Sequence, residues 1–383
     1  MQTLKFLKDF FVFLKIDEQF LEICTHETIF AECDGLCQMT YPKISVVIPM
    51  TRYDKELDEA LTSVFLQSFQ DFEVVLVDNH ATESTLNVAK EWKNKNPERI
   101  RIVKEENKGA VSARNRGINE SRGEYIALLD SDDRMRPDRL KMQISMIENN
   151  NDVSFVGAWF DEISSDGRTV VGRNNKPSVP RWGKILFDKT PRWISDPFYE
   201  PLTSTFFFRA SDAKKIGLFD KKFDPIWQED TDFAFRMYEM GKVAIVPQPL
   251  VEYRVHTPAD GIRRIFDIGV IVNHDVLFSK LKEKYYQRGN KDSRSRFEKL
   301  KSRWLRESGI KLLTYKDGEA VGKFLIGKSF ESNLLDFQNW ESIIRVNLFR
   351  PFYPRAFGIK GPIDATLPSF VSVEWARNLF SLE

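Results

Sequence analysis

The chain has 383 residues, enough for a core domain of about 250 residues and an appendage. Its 57 basic and 56 acidic residues nearly cancel, which argues against a nucleic-acid-binding protein. No run reaches the roughly eighteen apolar residues of a membrane span, and Cys24, Cys33 and Cys37 lack the paired spacing of a zinc site.

An odd number of cysteines with no framework suggests a reducing compartment. The apolar segment from Leu4 to Leu14 is broken by Lys5, Lys8 and Asp9, unlike a secretory signal. Leu4, Leu7, Phe10, Phe11 and Leu14 suit one face of a short amphipathic helix, expected to dock on the protein's own core. The expectation is a cytoplasmic protein, with peripheral attachment to the inner face of the cytoplasmic membrane as an extension of it.

From Lys43 strands and helices alternate. Ile44 to Ile48 is a β-branched strand expected to stop at Pro49. Asp54 to Ser68 carries Leu57, Leu61, Val64 and Phe65 at helical spacing. Phe72 to Val77 is a second strand ending at Asp78, and Thr82 is an N-cap for a helix that Asn96-Pro97 terminates. Ile100 to Val103 is a third strand, and Asn107-Lys108-Gly109 opens a helix containing Arg114. This rhythm predicts a parallel sheet with right-handed crossovers, a nucleotide-binding architecture.

The fourth strand, Tyr125 to Leu129, ends in Asp130-Ser131-Asp132-Asp133. Crowded carboxylates raise one another's pKa unless a cation sits among them, and Mg²⁺ or Mn²⁺ prefers such oxygen donors. A calcium loop starting at Asp130 would need Gly and Glu where Met135 and Lys141 stand. An aspartyl-phosphate phosphatase would need Thr where Arg134 stands.

A helix through Leu140, Ile144 and Ile147 follows, then a strand from Val153 to Phe160 and a hairpin turn at Asp166-Gly167. Residues 174–204 are proline-rich and aperiodic, and read as a long loop near the site. Thr205 to Phe208 reads as a strand, Ala210 to Ile216 as a helix closed by Gly217, and Glu229 to Met240 as a helix stopped by Gly241. Beyond Ile262 the chain becomes helical and basic. Between Lys280 and Arg306 eleven Lys or Arg stand against only Glu283, Asp292 and Glu298, a run that reads first as a solvated helix face, with attraction to anionic lipid or a pyrophosphate-bearing acceptor as the sharper alternative. The expected domains are an N-terminal helical extension (1–42), a catalytic domain (43–261) and a C-terminal helical region (262–383) for acceptor or membrane association.

Five segments in order resemble the inverting family 2 glycosyltransferases of the GT-A fold. They are Ile-Ser-Val-Val-Ile-Pro at 44–49, Val-Leu-Val-Asp at 75–78, Asn-Lys-Gly-Ala-Val-Ser-Ala-Arg-Asn-Arg-Gly at 107–117, Leu-Leu-Asp-Ser-Asp-Asp at 128–133 and Gln-Glu-Asp-Thr-Asp-Phe at 228–233. The resemblance covers about residues 43–256. It implies a Rossmann-like α/β domain with a mostly parallel central sheet, using a nucleotide-sugar, normally UDP-linked, with Mn²⁺ or Mg²⁺. It also implies nucleotide-sugar contacts from Pro49, Asp78, Lys108, Arg114, Asp130 and Ser131. In these roles Asp78 meets the base, Arg114 the base or diphosphate, and Asp130 the ribose.

Asp132 and His256 are implied as metal ligands, and Asp230 as the general base for the acceptor hydroxyl. Glu229 beside it is expected to bond the acceptor or orient the helix, and Trp227 reads equally as a stacking surface for an acceptor sugar or as a core aromatic. The implied acceptor is a glycan or a polyprenyl- or lipid-linked sugar in bacterial surface polysaccharide synthesis. The chain departs from the family after the second strand, where Asp78-Asn79-His80-Ala81-Thr82-Glu83 replaces Asp-Asp-Gly-Ser-Thr-Asp, and after Pro49, where Met50-Thr51-Arg52-Tyr53-Asp54 stands. A nucleotide-sugar pyrophosphorylase of related fold would need a Gly-rich phosphate loop, and Met50 to Lys55 contains no glycine. The non-enzymatic alternative is a degenerate transferase domain acting as a membrane-surface scaffold.

Overall fold

A computed structural model describes residues 41–174, 185–187, 202–223, 229–256, 291–313 and 317–335, with isolated positions beyond. The chain divides after Pro42, and the unit beginning at Lys43 holds nearly all of these residues. The expected N-terminal helix, Trp227, most of the 174–204 loop and the first half of the basic run lie outside the described residues.

The sheet is built on β1 (Ile44–Met50), β2 (Phe72–Asp78), β3 (Ile100–Lys104) and β4 (Tyr125–Leu128), joined through α1 (Asp54–Phe65), α2 (Glu83–Lys95) and α3 (Ala110–Glu120). After a two-residue strand β5 (Arg134–Met135) and α4 (Arg139–Glu148) come β6 (Val153–Ile163), β7 (Val170–Asn174), β8 (Ile185–Phe187) and β9 (Phe207–Arg209). Then follow α5 (Ala210–Lys215), α6 (Glu229–Met240), β10 (Lys242–Arg254), α7 (Lys291–Leu312) and α8 (Glu319–Ser332). Along the sheet the order is β3-β2-β1-β4-β9-β6-β10-β5, with β7 on β6 and β8 on β10.

β1, β2, β3 and β4 pair in parallel, as do β6 and β10. β9 lies antiparallel between β4 and β6, so β6 runs with β4. The carboxyl ends of β2, β4 and β10 therefore share one edge of the sheet, the edge where open α/β sheets bind ligands.

Alternation along the strands sends side chains to two apolar layers. Val47, Val75, Val77, Ile126 and Leu128 face one layer, closed by Val111 and Ile118 of α3 and Phe233 of α6. Ile44, Val46, Ile48, Val74 and Leu76 face the other, closed by Leu57, Leu61 and Val64 of α1 and Leu140 of α4. Trp304, Leu305, Val321 and Leu325 of α7 and α8 are buried in the first of these layers. The close seating of α3 depends on Gly117, where a Cβ would lie 2.2 Å from Val47 Cγ1. Among the described residues no helix is long and apolar enough to cross a membrane.

The structure departs from the sequence reading at several points. β1 runs through Pro49 to Met50. β4 pairs β1 only as far as Val47, so beyond that point β1 has β2 on one side only and the missing N–H costs no ladder bond on the other. Within the expected 174–204 loop, Ile185–Phe187 forms a strand on β10. The strand expected to begin at Thr205 starts at Phe207, because Thr203–Thr205 form a 3₁₀ turn. The helix expected from Glu229 to Met240 is present with those bounds.

Candidate active site

The turn after β4 is held from below. Ser204 Oγ accepts from Asp130 N at 3.0 Å and donates to Asp133 Oδ2 at 2.5 Å, while Arg254 N donates to Asp133 Oδ1 at 2.9 Å. Asp133 is 1% exposed. Burial pushes its carboxyl well above the usual range, the charges of Asp132 and Asp130 add to the rise, and the bonds from Ser204 and Arg254 oppose it. Beneath the same turn, buried Arg139 donates to Leu128 O at 2.9 Å and to Gln143 Oε1 at 3.0 Å. Burial lowers this guanidinium to about 9, with the Asp133 charge opposing the fall.

Arg254 ties this turn to the end of β10. Its Nε donates to Asp132 O at 2.8 Å, and Nη2 pairs with Glu59 at 2.6 Å. Two residues on, His256 Nε2 lies 2.7 Å from Asp132 Oδ2. The His256 ring stacks on Tyr53 at 4.9 Å between centroids and 12° between planes. Arg52, hydrogen-bonded to the Tyr53 hydroxyl, has its pKa raised by that bond first and by the Asp132 charge in smaller part.

Asp132 and His256, the two expected metal ligands, are thus brought together. Among the described residues no group of three His, Cys, Asp or Glu gathers to hold a metal. A carboxylate and an imidazole fit Mg²⁺ or Mn²⁺ that draws its remaining ligands from substrate phosphates and water. They would not make a closed structural site.

Arg114 is 6% exposed. Its Nη1 donates to Glu229 Oε1 at 2.6 Å and its Nη2 to Asp130 Oδ1 at 2.9 Å. The two carboxylates hold the guanidinium charged, although burial alone would lower it. At Glu229 burial outweighs the Arg114 charge and pushes the carboxyl up. Glu229 therefore takes up a proton at a higher pH than an ordinary carboxylate.

Asp230, partly buried at the head of α6, accepts from Thr231 N at 2.6 Å. Its neighbour Asp232 is paired with Arg236 at 2.7 Å. Asp78 ends β2, and its Oδ1 accepts from Ala81 N at 2.9 Å, closing the turn into α2. Thr82 caps that helix as the sequence predicts. Asn79 bridges to the next loop, donating to Asn107 O at 2.7 Å and accepting from Gly109 N at 2.9 Å. His80 bonds Glu106 O at 2.9 Å with φ of 60°, a left-handed backbone that Gly adopts without strain. Lys108 is exposed in that second loop, Pro49 partly buried in β1, and Ser131 buried in the β4 turn.

Sequence reasoning did not single out Ser204, Arg139, Arg254 or Tyr53. Arg254 stands in the Tyr-Arg-Val-His stretch beside His256, but nothing in that pattern reveals a buried arginine.

A family model described as "Glycosyl transferase family 2" matches residues 45–217. An uncharacterized glycosyltransferase of Methanocaldococcus jannaschii is 31% identical over 235 residues, covering 60% of this chain and 76% of that protein. The crystal structure of S. aureus TarS superposes with a TM-score of 0.51 at 18% identity, over 82% of this chain and 53% of TarS, about half of its length. A TarS fragment, residues 1–349, in complex with UDP gives 0.50 at 16% identity, over 80% of this chain and 92% of the fragment. At such identities these likenesses speak for the GT-A fold alone.

Proposed function

This chain belongs to glycosyltransferase family 2, and on that premise we propose that it transfers a sugar from a UDP-sugar to an acceptor hydroxyl, with inversion at the anomeric carbon. One observation carries the reading: the Asp130–Asp133 turn gathers His256 through Asp132, and Glu229 through Asp130 and Arg114. The donor nucleotide is supported by the UDP described in the complex of the TarS fragment.

Asp78 accepts from the base with the oxygen left over from its turn, and Asp130 accepts from the ribose. Asp132 and His256 would hold Mg²⁺ or Mn²⁺ against the diphosphate. When bound, that ion offsets the charge that grows as the sugar–phosphate bond breaks. Asp230 takes the proton of the acceptor hydroxyl as its oxygen attacks the anomeric carbon. The bond to the diphosphate breaks on the opposite face, and its electron pair leaves with UDP. Inversion is what the family resemblance implies for such a single displacement, and one general base permits it.

The acceptor proposed is a glycan or a polyprenyl- or lipid-linked sugar, in bacterial surface polysaccharide synthesis at the inner face of the membrane. That setting rests on analogy with the family. The test is calorimetry of UDP and a panel of UDP-sugars with and without Mn²⁺, alongside assay of UDP release. Metal-dependent UDP binding with release from one sugar donor is the expected result. Absence of any metal-dependent nucleotide binding would overturn the proposal in favour of a degenerate scaffold.

A further inference from the structure

The family resemblance gives Arg114 to the nucleotide, but its surroundings suit a different task. Its two terminal nitrogens are engaged by Glu229 and Asp130, and its Nε is buried with no partner among the described residues. A guanidinium so enclosed, with 7% of its side chain exposed, has little edge left to offer a diphosphate. Its helix is fixed in turn, because Gly117 one turn on lies against Val47 and Val77 of the sheet.

We infer that Arg114 is a positioning residue, a buried cation that fastens the head of α6, where Asp230 stands, to the strand-end carboxylate Asp130. The inference rests on the proposed function for what Asp230 does, but the fastening itself does not. α6 opens with three acids, Glu229, Asp230 and Asp232. Two of them are gripped by arginines, Glu229 by Arg114 and Asp232 by Arg236. Asp230 lies between the two grips and is carried by both. The planar fork of arginine suits this task because it serves two acceptors in fixed directions, which a lysine ammonium cannot do. Without it, Glu229 would be a buried carboxylate with no counter-charge, and the helix head would shift to reach water.

The experiment compares Arg114→Met, Arg114→Lys, Glu229→Gln and the Arg114→Met/Glu229→Gln double variant in the full chain. Calorimetry with UDP and Mn²⁺ reads donor binding. For Arg114→Met the expected UDP affinity stays within about threefold of the parent, because the Asp130 backbone N–H still donates to Ser204 and keeps the turn in place, whereas a lost charge-assisted donor contact would cost about tenfold or more. Turnover at saturating donor falls by about 100-fold, the scale of a misplaced reacting group. Arg114→Lys lies between the two, and the double variant is no slower than Arg114→Met.

A tenfold loss of UDP affinity with turnover unchanged would overturn the inference in favour of a donor contact. Turnover losses that multiply in the double variant would overturn it equally. Urea unfolding of the same four proteins reads the fastening without substrate. Coupling between Arg114 and Glu229 of about tenfold or more in the folding constant is expected, and absence of coupling refutes it. If the parent binds no UDP at all, the functional proposal fails, yet this unfolding cycle still decides whether Arg114 fastens Glu229.

Discussion

His256 Nε2 meets Asp132 Oδ2 at 2.7 Å across 124 positions of chain. The contact joins the end of β10 to the turn after β4, two strands separated in the sheet by β9 and β6. Chelation of divalent metal should abolish turnover, and Mn²⁺ should restore it. His256→Ala should weaken Mn²⁺ binding by at least the roughly 10- to 100-fold that loss of even an outer partner costs. Electron paramagnetic resonance titration of Mn²⁺ with UDP present measures this directly.

Asp230→Asn should lower turnover by about 10²- to 10⁴-fold, the usual worth of a general base. UDP affinity should be unaffected, since the substitution keeps the shape and removes only the proton acceptor. Undiminished turnover would place the base elsewhere.

Burial raises the Glu229 carboxyl above its ordinary value of about 4.3, with Arg114 opposing. The folded chain then binds this proton more tightly than the unfolded chain does. Stability from this group is greatest below the unfolded value and is lost as pH rises through the raised one. Glu229→Gln lacks the term. Urea midpoints measured from about pH 4 to pH 7 should therefore show the parent losing ground to the variant as pH rises. A parent that gained ground would mean that the Arg114 charge outweighs burial.

Gly117→Ala would drive a methyl group into Val47 of β1 and Val77 of β2. Overpacking of this kind costs about 1–3 kcal/mol, so the urea midpoint should fall with an unchanged slope. An unchanged midpoint would mean that α3 can lift off the sheet at little cost.

The first half of the fold was legible because its signals agree. Apolar runs at 44–48, 72–77 and 125–129 alternate with helices, of which α2 is capped by Thr82 and α3 is opened by Gly109, and each of these strands appears. β10 was not legible. Its thirteen residues include Pro247 and Pro249, which read as breakers, and the strand survives them through shifts of register against β6. Asp132 and His256 could be paired in advance only by resemblance, because what brings them together is that unread strand. Arg114 was visible as a residue, but its burial was not. A cation facing a nucleotide and a cation facing two carboxylates leave the same letter in the sequence.

Trp304, Leu305, Val321 and Leu325 share one apolar layer with Val47, Phe155 and Phe233. The helices that carry them are therefore not trimmings that can be cut away to leave a working catalytic half. A chain ended at residue 261 would keep every proposed contact with donor and metal and lose part of the wall behind them. Its exposed layer would seek cover in other copies of itself, and such a protein would fail by aggregating before its chemistry could be tested.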